Sequence, residues 1–314
     1  MRHHLRKARE IYAGGGLRTV VGSALRYAPV EFNNAVFHLR HGNGTHVMAE
    51  DWDNLLILDG CRYDLFEETV DMDGTLESRI SLGSSSEEFL ERNFGGKTFH
   101  DTVYVNANPY IPRLNLDRDT FHAVIDCLDD WEPNLQTIPP EPVADALREA
   151  NADFPDKRLV GHFMQPHAPF IGKLGQRIVG GGWRSDESGE GEQGIWNYLR
   201  DGTTDVDLGT VWDAYRENLD VVLESVEALL DELDGKTVIT ADHGNLVGER
   251  LGPIPTRRKY GHPYGVHAPG LVRVPWFVVP FDDRREITAD PPIDRGSTAD
   301  QETVEQRLDA LGYK

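Results

Sequence analysis

Thr237-Val238-Ile239-Thr240-Ala241-Asp242-His243-Gly244-Asn245 opens as a short apolar, β-branched run and closes on a carboxylate beside an imidazole. Val238 and Ile239 have the character of a buried strand in a parallel sheet. Asp242 and His243 then fall at its C-terminal end, the edge at which open α/β sheets build their sites. Gly244 lets the backbone turn tightly. An Asp-His pair offers a divalent metal one hard oxygen and one borderline nitrogen. The plainer reading is a loop Asp capping the next turn beside a surface His.

A second stretch has the same order of parts. Asn54-Leu55-Leu56-Ile57-Leu58-Asp59-Gly60-Cys61-Arg62-Tyr63-Asp64 is an apolar strand that ends in Asp-Gly and is followed by an arginine. Two strands ending in acidic residues can converge at one sheet edge, however distant in sequence. The expected fold is therefore α/β, a mostly parallel sheet with helices on both faces. From Val211 to Leu233, Trp212, Tyr215, Leu219, Val222, Leu223, Val226 and Leu229 mark a long amphipathic helix. It leads into the Asp242 strand as a right-handed crossover would.

Taken together, strand-Asp near the start and Thr-x-Asp-His-Gly near the end resemble the alkaline phosphatase/sulfatase superfamily. The resemblance spans roughly residues 51–281. It implies an alkaline-phosphatase-like core and metal-dependent chemistry on phosphate or sulfate esters. Asp59, Asp242 and His243 would bind the ion, with His262 as a further ligand. The ligand types suit Zn or Mn. One ion is expected; a second would need His262, His267 or His162 with another carboxylate.

Ser84-Ser85-Ser86-Glu87-Glu88 precedes Phe89, Leu90 and Phe94, which fit one helix face. Ser85 and Glu88 fit a capping box, and a cap alone would explain the serines. A hydroxyl at a helix N-terminus also feels the positive end of the dipole, where N–H groups can hold an ester oxygen. In the resembling family the nucleophile sits at such a helix start. By position, Ser86 and Ser84 are the two candidates, and the sequence does not separate them. The Cys/Ser-x-Pro-x-Arg signal of conventional sulfatases is missing, which favours phosphate esters.

Two further segments look like the lipoteichoic-acid-synthase and phosphoethanolamine-transferase branch. Gln165-Pro166-His167-Ala168-Pro169-Phe170 follows an apolar strand, and His262-Pro263-Tyr264 to His267-Ala268-Pro269 follows the Asp-His-Gly motif. The resemblance implies substrate contacts from His167, with Arg62 and His267 as further candidates. His162 lies within a strand and reads as a core residue, Asn108 as a turn residue before proline, and Cys61 as a small buried side chain. Leu271–Val279 reads as a strand.

Composition bounds the rest. Among 314 residues the formal net charge is −21, and only seven of the 32 basic residues are lysine. A dense acidic surface suits solubility in concentrated salt and makes nucleic acid an unlikely partner. The two cysteines make no disulfide framework. No apolar run has the length of a membrane span and no signal-peptide core is visible, so the expected location is cytoplasmic. Residues 1–47 differ in kind. Arg2, His3, His4, Arg6, Lys7, Arg9, Arg18 and Arg26 make them basic, and Leu17, Val20, Val21, Ala24 and Leu25 follow helical spacing. They form either a helical extension packed on a catalytic domain of residues 48–314 or a peripheral membrane contact. Residues 180–194, glycine-rich and acidic, read as a surface loop or lid. The expected function is metal-dependent hydrolysis or transfer of phosphate esters, glycan- or lipid-linked, through a serine nucleophile. Polysaccharide sulfate-ester hydrolysis and a non-catalytic, metal-stabilised binding protein are the alternatives.

Overall fold

The computed structural model describes residues 27–178, 194–293 and 301–312. The hydrophobic spacing between Leu17 and Leu25 and the 180–194 loop fall outside these, apart from Gly194.

The helices, in chain order, are α1 (27–41), α2 (Tyr63–Thr69), α3 (Ser86–Phe94), α4 (Tyr110–Arg113), α5 (Pro140–Asp153), α6 (Lys173–Ile178), α7 (Ile195–Asp201), α8 (Leu208–Leu230), α9 (Pro269–Val272) and α10 (Gln301–Ala310). The strands are β1 (Asn54–Leu58), β2 (Thr75–Ile80), β3 (Phe99–Asn106), β4 (Phe121–Asp126), β5 (Arg158–Phe163), β6 (Thr237–Thr240), β7 (Leu246–Glu249), β8 (Lys259–Gly261) and β9 (Arg273–Val278).

Seven strands form one sheet in the order β2-β9-β6-β1-β5-β3-β4. From β6 to β4 every pairing is parallel, and β9 is antiparallel to both of its neighbours. The two expected acidic strands, β1 and β6, lie side by side in register from Asn54 opposite Thr237. All five residues of β1 are buried, as a central parallel strand covered on both faces requires. Its side chains divide by parity. Leu56 and Leu58 join one apolar cluster with α5 and α8 residues, while Leu55 and Ile57 join another with Phe89, Leu90 and Phe94 of α3. Helices thus cover both faces, as the sequence predicts.

Helix α8 buries Val211, Ala214, Tyr215, Asn218, Leu219, Val222, Leu223, Val226 and Leu229, a continuous stripe at helical spacing. It starts on Asp207, whose side chain accepts from the Thr210 N–H. The strand expected over Leu271–Val279 begins only at Arg273. Pro269 at the first position of α9 instead turns residues 269–272 into a helical turn capped by Ala268.

The described part of the N-terminal segment packs onto the domain. Val30 and Phe37 of α1 join a third apolar cluster with Leu246, Leu251, Val266 and Leu271. Asn33 and Asn34 donate to the carbonyls of Ile254 and Gly265, at 2.8 Å each. Among the described residues, no helix is long and apolar enough to cross a membrane.

Candidate active site

Three neighbouring parallel strands, β6, β1 and β5, deliver side chains to one sheet edge. Asp59 directly follows β1, Asp242 and His243 follow β6, and His162 is the penultimate residue of β5. Asp59, Asp242, His162 and His243 are fully buried. Asp59, Asp242 and His243 place one ligand atom each within 4.8 Å of one another.

The local backbone explains the aim of each carboxylate. Asp242 Oδ1 accepts from the Gly60 N–H at 2.9 Å and the His243 N–H at 2.8 Å, so Oδ2 faces the site. Gly60 has φ +69°, and a Cβ there would lie 2.9 Å from Asn245 Nδ2. Asn245 donates to the Gly60 carbonyl, as does the Tyr215 hydroxyl from α8. Gly244 is needed for a different reason: a Cβ would stand 2.4 Å from the Gly270 carbonyl oxygen. Asp59 Oδ2 accepts from Asn108 Nδ2 at 2.9 Å.

The imidazole of His243 is fixed as a ligand would be. Its Nδ1–H donates to the Gly244 carbonyl at 2.7 Å, leaving the Nε2 lone pair to point inward. Nε2 lies 3.6 Å from Asp59 Oδ1 and 3.5 Å from Asp242 Oδ2. Three acceptors thus converge in a buried space, and no Lys or Arg pairs with Asp242 among the described residues. His162 Nε2, 3.9 Å from each carboxylate, has no hydrogen-bond partner among them. Its Nδ1 contacts the Tyr104 hydroxyl at 2.8 Å. Two carboxylate oxygens and an imidazole nitrogen turned toward one point fit a divalent cation, and the O,O,N set suits Zn or Mn.

Burial pushes the Asp242 carboxyl up, but His243, His162 and the Gly60 N–H outweigh it and hold the group below its usual range. Burial pushes His162 down to about 4, Asp242 opposing and His243 adding. His167 falls to about 4 through burial and then His243. His262 is driven well below 6.5 by burial, then by His243 and His167. The His162, His167 and His262 imidazoles are therefore held neutral.

The two serine candidates separate. Ser86, the first residue of α3, is fully buried, with Oγ 3.2 Å from Asp59 Oδ2 and 3.3 Å from His243 Nε2. Ser85 is the cap, its side chain accepting from the Glu88 N–H. Ser84 points elsewhere: its hydroxyl donates toward Glu88 Oε2 at 2.8 Å and the Pro263 carbonyl at 3.0 Å. Glu88 therefore does not close the capping box onto Ser85. Its Oε2 accepts from the Ser84 and Gly265 N–H groups instead.

The remaining candidates divide in the same way. His167 and His262 meet at 2.9 Å between their Nε2 atoms, and the His262 ring stacks on that of His243 with centroids 4.7 Å apart. His262 thus borders the group of Asp59, Asp242 and His243 without belonging to it. Arg62 is taken up elsewhere, gripping Asp64 at 2.6 and 2.8 Å, the Asn245 carbonyl at 2.8 Å and Glu249. His267 faces α1: its N–H donates to Asn34 Oδ1 at 2.9 Å and its ring packs 4.4 Å from that of His38. Cys61 is buried, and burial raises its thiol pKa well above 9.0, so it is an inert core residue.

Asn108 and His162 are the residues that sequence reasoning undervalued. Asn108 does serve its turn, accepting from the Tyr110 N–H at 3.0 Å, but its amide also holds Asp59. The available signal was position, since both lie at the C-terminal ends of apolar strands.

The fold of the chain has counterparts among solved structures. No family model and no curated protein matches it. Among solved structures it is similar to the soluble domain of lipooligosaccharide phosphoethanolamine transferase A from Neisseria meningitidis. They share 14% identity over 71% of this chain and 75% of that one, with a TM-score of 0.44. A lipoteichoic acid synthase from Listeria monocytogenes aligns at 10% identity over 80% and 71%, TM-score 0.43. An alkaline phosphatase superfamily protein from Vibrio parahaemolyticus aligns at 9% over 82% and 69%, TM-score 0.37.

Proposed function

We propose that the chain is a metal-dependent phosphoester transferase or hydrolase in which Ser86 is the nucleophile. The observation that carries this reading is the placement of the Ser86 hydroxyl. It stands at the N-terminus of α3, 3.2 Å from Asp59 and 3.3 Å from His243, where three acceptor groups converge.

Asp59, Asp242 and His243 would hold a divalent ion, with His162 bordering it. Such an ion, when bound, lowers the pKa of a ligated hydroxyl and neutralises ester oxygens. Asn108 keeps Asp59 oriented, and the Gly60 and His243 N–H groups do the same for Asp242. The His167–His262 pair borders the space beside the group, and the first N–H groups of α3 offer donors to a phosphoryl oxygen. Ser86 Oγ forms the bond to phosphorus as the ester oxygen leaves. The proton lost by Ser86 balances the one taken up by the departing alcohol. Water or an acceptor hydroxyl then reverses the step and restores the serine.

The test is turnover of nitrophenyl phosphate monoester, diester and sulfate in molar salt with Mn or Zn. The account expects phosphate to be preferred. Ser86→Ala should cut kcat by about 10³-fold or more, and Ser84→Ala by less than about tenfold. Asp242→Ala should lose both turnover and metal. Undiminished turnover in Ser86→Ala would remove the proposed nucleophile, and a sulfate preference would move the assignment to sulfate esters.

A further inference from the structure

A cleft of about 260 Å³ is lined on one side by Ser85 and His262, neighbours of the reacting groups. Its walls are aromatic: Trp196 from α7, Tyr110 from α4, and Tyr260 and Tyr264 from β8 and the loop after it. Trp196 is 8% exposed and Tyr110 5%, so both are held firmly. The Trp196 ring packs edge-on against Phe170, 6.0 Å between centroids, and lies 6.3 Å from Tyr215. Tyr215 is the residue whose hydroxyl holds the Gly60 turn, so one aromatic stack supports both the cleft and the metal group. Trp196 Nε1 is buried and has no hydrogen-bond partner among the described residues. Asn197 and Arg200 add an amide and a guanidinium to the rim.

We propose that this cleft is a carbohydrate subsite that takes one hexopyranose unit of the ester's alcohol or of the acceptor. The proposal rests on the phosphoester reading for its chemistry, but the cleft can be occupied without any reaction. A pyranose ring has a flat C–H face and a rim of hydroxyls. The first fits the quadrupole of an aromatic wall, and the second fits Asn197 and Arg200. An acyl chain would strip water from those polar groups and return no hydrogen bond. The volume lies just below the roughly 300–1,000 Å³ of pockets for drug-sized ligands, room for one ring rather than a nucleoside. The ring would bring its attached phosphate to His262 and on to Ser86.

The test is saturation-transfer NMR on the metal-loaded full chain with methyl gluco-, manno- and galactopyranosides, and with adenosine and octyl phosphate as competitors of other classes. At least one methyl hexopyranoside should receive transfer at its ring protons. Trp196→Ala should weaken its Kd about tenfold. Trp196→Phe keeps an aromatic wall, so it tests the site if the alanine variant is unstable, and it should weaken binding less. Tyr264→Ala, on the half-exposed wall, should weaken binding as well. The proposal fails if no hexopyranoside binds, if Trp196→Ala and Tyr264→Ala leave binding intact, or if adenosine or octyl phosphate binds in their place. Since none of these readings needs turnover, an inactive protein that still binds a hexopyranoside would refute the proposed chemistry and leave the subsite standing.

Discussion

Ser84 and Ser86 are two positions apart, yet one hydroxyl serves the buried Glu88 carboxylate and the other faces Asp59 and His243. The difference follows from where the helix begins. Ser85 takes the extended cap conformation, so Ser86 is the first residue to project with the helix. The sequence supplied the cap signal but not the direction of each side chain, which is why it left both serines open. His267 was misjudged for the same reason. A histidine four residues after the His262-Pro263 turn reads as a site residue, but the turn carries it to α1, beside Glu88, His38 and Arg92. Burial pushes the His267 imidazole down to about 4, against the pull of Glu88 and with the help of His38 and Arg92. Below pH 6.5 the unfolded chain takes up a proton there that the folded chain refuses. Stability should therefore be fully present above that pH and fall as pH drops toward 4, by about 3 kcal/mol at most from this group. Urea titrations from pH 7 to 4.5 should show a smaller loss for His267→Leu than for the wild type. Equal losses would mean that His267 titrates normally.

At the scale of elements, the central strands and α8 were legible because their apolar spacing is long and regular. Strands β2 and β4 and the β7–β8 pair were not. Strand β2 is an edge strand, Thr75-Leu76-Glu77-Ser78-Arg79-Ile80, in which no residue is fully buried, so no apolar run marks it. The capping box was legible only in part. Glu88 has the right spacing, yet its buried carboxylate ties the start of α3 to the loop after His262. It accepts from Ser84 N–H, Ser84 Oγ and Gly265 N–H, and pairs with Arg92 at 2.6 Å. Helix α3 and the His262 loop are thus fixed relative to one another by one side chain. Glu88→Gln keeps the shape but removes the charge. It should cost about 1–3 kcal/mol in denaturant unfolding and lower kcat more than Ser84→Ala does. A stable variant with wild-type kcat would show that Glu88 does not position the site.

For the molecule as a whole, the sheet order explains why residues 59 and 242 meet: β1 and β6 are neighbours, and helix α8 carries the chain to β6. The parallel arrangement followed from two strands with the same ending. The antiparallel β9 did not, since antiparallel pairing leaves little mark in a run whose four central residues are all buried. The net charge of −21 belongs to no single element. Self-repulsion on that scale should be relieved by screening, so the melting temperature should rise in KCl from about 0.1 to 1 M, over which the Debye length falls from roughly 10 to 3 Å. A flat or falling curve would mean that the acidic surface is not an adaptation to salt. The most direct measurement is acid-quenched mass spectrometry of the metal-loaded protein during turnover of a phosphate ester. The account predicts one phosphoryl group on Ser86, absent after chelation, restored by Zn or Mn, and absent from Ser86→Ala. A phosphoryl group on Ser84, or turnover with none on Ser86, would contradict it.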